Sequence, residues 1–97
     1  MFSQEILECP ECGFEYIHLV AIRVLRQREV TEITAKGITI KDDLNKTRGV
    51  IIELDYLCEN DHYGTITLNF HEGQTLLSHK LHKLPTDLNT LPDIWRD

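Results

Sequence analysis

Two short motifs far apart in the chain constrain its folding more than anything else in it: Cys9-Pro10-Glu11-Cys12-Gly13 and Cys58-Glu59-Asn60-Asp61-His62. Two cysteines with two residues between them can aim both sulfurs at one ion. A cysteine followed four positions on by a histidine gives a second pair with the longer reach of an imidazole. Zinc(II) imposes no geometry from its d electrons and in structural sites takes four thiolate or imidazole ligands. The spacing predicts one structural zinc ion held by Cys9, Cys12, Cys58 and His62, with half the site on each of two hairpins. Pro10 stiffens the first turn, and Gly13 permits a positive φ that turns backbone N–H groups toward the thiolates. Asn60 and Asp61 are turn formers.

Other assignments stand beside this one. A Cys9–Cys12 redox pair belongs at the strand-to-helix junction of a thioredoxin-like unit, and no βαβ pattern follows here. Cys58 can also be read as a buried core thiol, and His62 as turn surface. His71 and His18 are alternative fourth ligands. His79 and His82 fall on opposite sides of an extended segment, which argues against a second metal site.

The chain has 97 residues, which makes one small domain. Its three cysteines are an odd number, which argues against a disulfide framework and for a reducing compartment, the cytoplasm. The first eight residues lack the basic and apolar regions of a signal peptide. No apolar run approaches the ~20 residues of a membrane span. A net charge of −6 works against binding phosphates non-specifically, and three thiolates on a divalent ion add one more negative charge. Glu5, Glu8, Glu11 and Glu15 crowd the first knuckle, whereas Arg23, Arg26, Arg28, Lys36, Lys41, Lys46 and Arg48 lie in the middle.

The residues between the knuckles favour strands. Residues 16–34 are rich in β-branched side chains, Lys36-Gly37 breaks the run, and residues 38–40 restart it. Residues 42–46 read as a polar loop. From residue 48 to 58 the period is two, with Val50, Ile52, Leu54 and Tyr56 on one face and Glu53 and Asp55 on the other. Residues 63–71 repeat it, with Ile66, Leu68 and Phe70 inward and Thr65, Thr67 and Asn69 outward. The second knuckle then sits at the tip of a β-hairpin, and residues 72–74 turn the chain into another strand at residues 75–78. The expected architecture is mainly β: zinc-ribbon-like antiparallel hairpins with two knuckles (residues 1–81) and a proline-punctuated tail (residues 82–97). Pro85 and Pro92 forbid one continuous helix in that tail. It either folds over the domain with Leu88, Leu91 and Trp95 capping the core, or docks to a partner through its aromatic residue.

Cys9-Pro10-x-Cys12-Gly13, Tyr16-x-His18, Cys58-Glu59-x-x-His62 and His71-x-Gly73-x-Thr75 occur in that order. This series resembles a family of small, functionally uncharacterised bacterial and phage zinc-ribbon-like proteins, over roughly residues 9–78. The resemblance implies a β-rich zinc-ribbon-like domain and no particular activity. Phe70 and Glu72 depart from the family's QHKGxT-like turn, which undercuts an anion-binding role there.

Three functions follow, in order. The first is a non-catalytic structural-zinc domain acting through another macromolecule, a protein before a nucleic acid. The second is a nucleic-acid-binding zinc ribbon using Arg23, Arg26, Arg28, Lys46 and Arg48. The third is a zinc hydrolase in which water replaces His62 and Glu59 or Glu72 moves the proton.

Overall fold

The computed structural model describes residues 3–94, the side chains of residues 43–48 excepted. The β-branched and alternating stretches form four strands: β1 (Ile17–Thr34), β2 (Gly37–Cys58), β3 (His62–His71) and β4 (Gln74–His82). Each pairs antiparallel with the next, giving one sheet in the order β1-β2-β3-β4. Among the described residues the only helix is a single 3-10 turn at Leu88–Thr90, where the Asp87 carboxylate accepts from the Asn89 N–H. The chain is mainly β, as its alternation predicts, and no described helix is long and apolar enough to cross a membrane.

β1 is too long to be straight. At 3.3 Å per residue an 18-residue strand would run about 60 Å, yet the molecule's longest dimension is 36 Å. Gln27 (φ 55°) and Gly49 (φ 78°) take left-handed conformations at the bend. The pairing there jumps from Gln27↔Thr47 to Glu29↔Asp42. The polar stretch at 42–46, expected to be a loop, is instead carried inside β2, with Asp42 paired to Glu29 and residues 43–46 as extra residues opposite Arg28. A bulge of this kind bends a strand without ending it. The outer half of the hairpin folds back far enough for Glu32 to reach Arg23, earlier in the same strand.

The register separates the two faces as the alternation requires. Ile52↔Leu68, Leu54↔Ile66 and Tyr56↔Gly64 share one face. Its core is small and lies at the knuckle end, where Cys9, Tyr56, Cys58 and Ile66 are buried and Phe14, Ile17, Leu19 and Leu54 pack against them. Phe70, expected inward, is 44% exposed, because the knuckle does not extend to that end of β3. Gly64 is obligatory in this core. A Cβ there would stand 2.8 Å from the Lys80 carbonyl, the His79 ring and the Tyr56 hydroxyl.

The opposite face corrects the simplest reading of the alternation. Asp55 and Thr65, expected outward, are each only 7% exposed. The folded-back hairpin and the tail roof this face, leaving a hollow of about 300 Å³ between Ala21, Arg23, Thr34, Lys36, Leu91 and Pro92. The tail runs beside β1, with the Ile94 N–H donating to the Leu19 carbonyl at 2.9 Å. Leu91 is half-buried and Leu88 exposed; Trp95 lies outside the described residues.

Candidate metal centre

Cys58 ends β2 and His62 begins β3, and the two are directly paired across the strands. The three residues between them make the hairpin turn, with Asp61 in the left-handed region (φ 63°) and its N–H on the Cys58 carbonyl at 3.0 Å. This pleat carries the Cys58 sulfur and the His62 ring onto the same face. The other two ligand atoms come from a loop closed on itself by Cys9 N–H to Phe14 O and Gly13 N–H to Cys9 O, both 2.8 Å. Gly13 has the positive φ (77°) its position predicts. This first half of the site is a knuckle loop, since the described residues before it form no strand to pair with β1; the expectation of a hairpin holds only for the second half.

Cys9, Cys12, Cys58 and His62 each offer one ligand atom, all within 4.8 Å of one another. Cys12 Sγ lies 3.7 Å from Cys58 Sγ, and Cys9 Sγ lies 3.8 Å from His62 Nδ1. A tetrahedron with metal–sulfur bonds of ~2.3 Å has edges of about 3.8 Å. The four side chains therefore fit one metal ion, and the donor set is compatible with zinc. His71 stands at the far end of β3, exposed and beside Glu72. His18 is occupied elsewhere, with Nε2 at 2.8 Å from Glu59 and Nδ1 at 3.2 Å from Asp93. Neither reaches the cluster.

The surroundings support the sulfurs unequally. Cys9 and Cys58 are buried while Cys12 is exposed. In the metal-free chain, the Phe14 backbone N–H bonded to its sulfur holds the Cys12 thiol down to about 6. Burial pushes the Cys58 thiol up to about 11; bound metal overrides this preference, because a coordinating thiol is deprotonated outright. Asn60, anticipated only as a turn former, also serves the ligands: its N–H donates to Cys58 Sγ at 3.3 Å and its Nδ2 to Cys12 Sγ at 3.7 Å. Beneath the site the Tyr56 hydroxyl bonds His79 Nε2 at 2.5 Å. Burial first, then the neighbouring Cys9 sulfur, raises the Tyr56 phenol above its usual range.

A second polar cluster lies on the opposite face. Arg23 grips Asp55 through both terminal nitrogens (2.7 and 2.6 Å) and Glu53 through Nε (2.8 Å). The Thr65 hydroxyl donates to Asp55 at 2.7 Å and lies 2.7 Å from His82 Nε2. The bond to Asp55 dominates in holding the Arg23 guanidinium charged. Alternation alone gives no sign of this network, because a carboxylate facing water and one facing an arginine occupy the same positions in the pattern. Arg23, a candidate phosphate contact by sequence, is consumed here. Arg26 and Arg28 line the bend together with Gln27, Glu29 and Asp42; the side chains of Lys46 and Arg48 lie outside the described residues. No family model, curated protein or solved structure matches this chain.

Proposed function

We propose that this is a non-catalytic β domain, cross-linked by one structural zinc ion at Cys9, Cys12, Cys58 and His62, that acts in the cytoplasm by binding another protein. The observation that carries the reading is the convergence of four soft or borderline donors at tetrahedral separations. Three thiolates and an imidazole suit zinc far better than the hard, oxygen-seeking magnesium or calcium. Four protein ligands fill a tetrahedron, whereas catalytic zinc keeps one position open. The ion would fasten the knuckle loop to the β2–β3 tip, and these residues would do no chemistry beyond holding it.

The placement of the other groups supports the same choice. Glu59, the nearer candidate for moving a proton, is paired with His18, and Glu72 sits in the distant β3–β4 turn. With Arg23 bound among three carboxylates, the basic middle of the chain loses one of its arginines. X-ray absorption on the metal-loaded protein tests the reading: one zinc with three sulfur and one nitrogen neighbours is expected. An oxygen in place of the nitrogen, with zinc retained by His62→Ala, would move the assignment to a hydrolase. Salt-sensitive DNA or RNA binding lost on Arg26→Glu with Arg28→Glu would move it to a nucleic-acid ribbon.

A further inference from the structure

The two edges of the sheet are treated differently. The edge of β1 carries a register shift beside Leu19 and accepts the Ile94 N–H from the tail. The edge of β4 has neither cover nor bulge: among the described residues it pairs only with β3, over nine residues without proline. It exposes Leu77 (71%) on the Tyr56 face and Leu76 (45%) on the other. A long, open and apolar edge is a template for another strand. Its charge narrows the choice of strand. Residues 74–83 contain Lys80 and Lys83, two histidines and no carboxylate, in a chain of net charge −6. Two β4 edges brought together would oppose like charges.

The complementary strand is present in the same molecule. Residues 3–8, Ser-Gln-Glu-Ile-Leu-Glu, belong to no helix, strand or turn and are exposed, and among the described residues none of their backbone groups bonds another; the first such bond is made by Cys9. They carry Glu5 and Glu8 and no base. Ile6 (62% exposed) and Leu7 fall on opposite faces of an extended segment, and the leucines of β4 are likewise divided between its two faces. Six extended residues reach about 20 Å, enough to cover most of β4.

We propose that residues 3–8 of one copy add as a strand to the β4 edge of a second copy, in a reciprocal exchange that closes as a two-fold dimer. Main-chain bonding supplies the affinity, as in other β-augmentations. The opposite net charges of the two segments, glutamates on the arm and lysines on the edge, select the arm over a second β4. The exchange uses none of the four metal-ligand residues.

Sedimentation of the metal-loaded full chain over a range of concentrations tests this. The native chain is expected to dimerise reversibly. Two charge-reversed variants, Glu5→Lys with Glu8→Lys and Lys80→Glu with Lys83→Glu, should each self-associate at least roughly tenfold more weakly. An equimolar mixture of the two should regain the dimer, since each arm then meets an edge of opposite charge. Unchanged metal content and circular dichroism identify the variants as folded, and all four positions lie outside the core and the ligand set. A native chain that stays monomeric to about 1 mM overturns the proposal, whether the edge stays bare or takes its own arm. So does self-association of the arm variant at native strength, which would mean that β4 pairs with β4 or that another surface associates. Failure of the mixture to associate overturns it as well.

Discussion

The two faces of this sheet are covered by the same means, a loop of chain laid over strands, but fastened in opposite ways. On the Tyr56 face the cover is the knuckle loop, and its fastening is a cluster of three sulfurs and an imidazole suited to one ion. On the Asp55 face the cover is the bent hairpin and the tail, fastened by charge: Glu32 to Arg23, Arg23 to Asp55 and Glu53, and Asp93 to His18. A chain this small has little apolar area to bury; only Cys9, Val20, Ala21, Tyr56, Cys58 and Ile66 are buried hydrophobics among the described residues. With an ion bound in the cluster, each face would substitute a discrete cross-link for the missing core. The two cross-links would then differ in strength and in what breaks them.

The largest difference should appear on metal removal. Structural zinc in finger peptides is worth roughly 10–16 kcal/mol at neutral pH, against a total stability of roughly 5–15 kcal/mol for a small domain. Chelation, or Cys12→Ser, is expected to release residues 9–14 and to unfold most or all of the sheet, read as loss of the β signal in circular dichroism. His62→Ala should do the same, and His71→Ala should not. A melting curve unchanged after complete metal removal would show that the apolar face needs no ion, and would erase the distinction between the faces.

Breaking the charged fastening should cost less. Asp55→Ala strands the Arg23 guanidinium and leaves the Thr65 hydroxyl without its acceptor. Removing one member of a fully buried pair costs roughly 3–5 kcal/mol. The Arg23 side chain retains 23% exposure and keeps Glu53 and Glu32, so about 2–3 kcal/mol is expected, read from a urea midpoint with metal bound. Zinc content should not change. Loss of metal from Asp55→Ala would mean that the two fastenings act as one.

How far each face is legible in the sequence follows from the same contrast. Cys9-x-x-Cys12 and Cys58-x-x-x-His62 can be read because a metal site leaves its residue types and spacing in the chain, and each half is built locally by one turn. The period of two in β2 and β3 can be read because the pleat enforces it over every residue. The burial of Asp55 cannot, because it depends on residues 32–36 and 90–92 arriving from elsewhere. Their arrival depends on the bend. That bend rests on Gln27, a non-glycine residue at positive φ, and on a polar stretch whose composition suits a loop and a bulge equally. His18 is hidden for a related reason, since its partners Glu59 and Asp93 lie on different segments.

The smallest expected effect tests whether the division between the faces is clean. Among the described residues Tyr56 is the one large polar-tipped side chain fully buried on the metal face, and its hydroxyl bonds His79 while its ring lies against the Cys9 and Cys58 cluster. Tyr56→Phe keeps the ring and deletes one hydrogen bond, worth about 1 kcal/mol. His79 is only half-buried, so water can replace the lost partner and hold the cost near that value. Thermal unfolding with metal bound should show this modest loss, and a competition titration should show unchanged zinc affinity. A several-fold fall in affinity would instead place the phenol among the groups that orient the Cys9 sulfur, in the way outer hydrogen bonds orient metal ligands elsewhere. The hydrogen bond between His79 and Tyr56 would then carry the influence of β4 into the metal centre, and the apolar face would owe its fastening to a polar contact as much as the other face does.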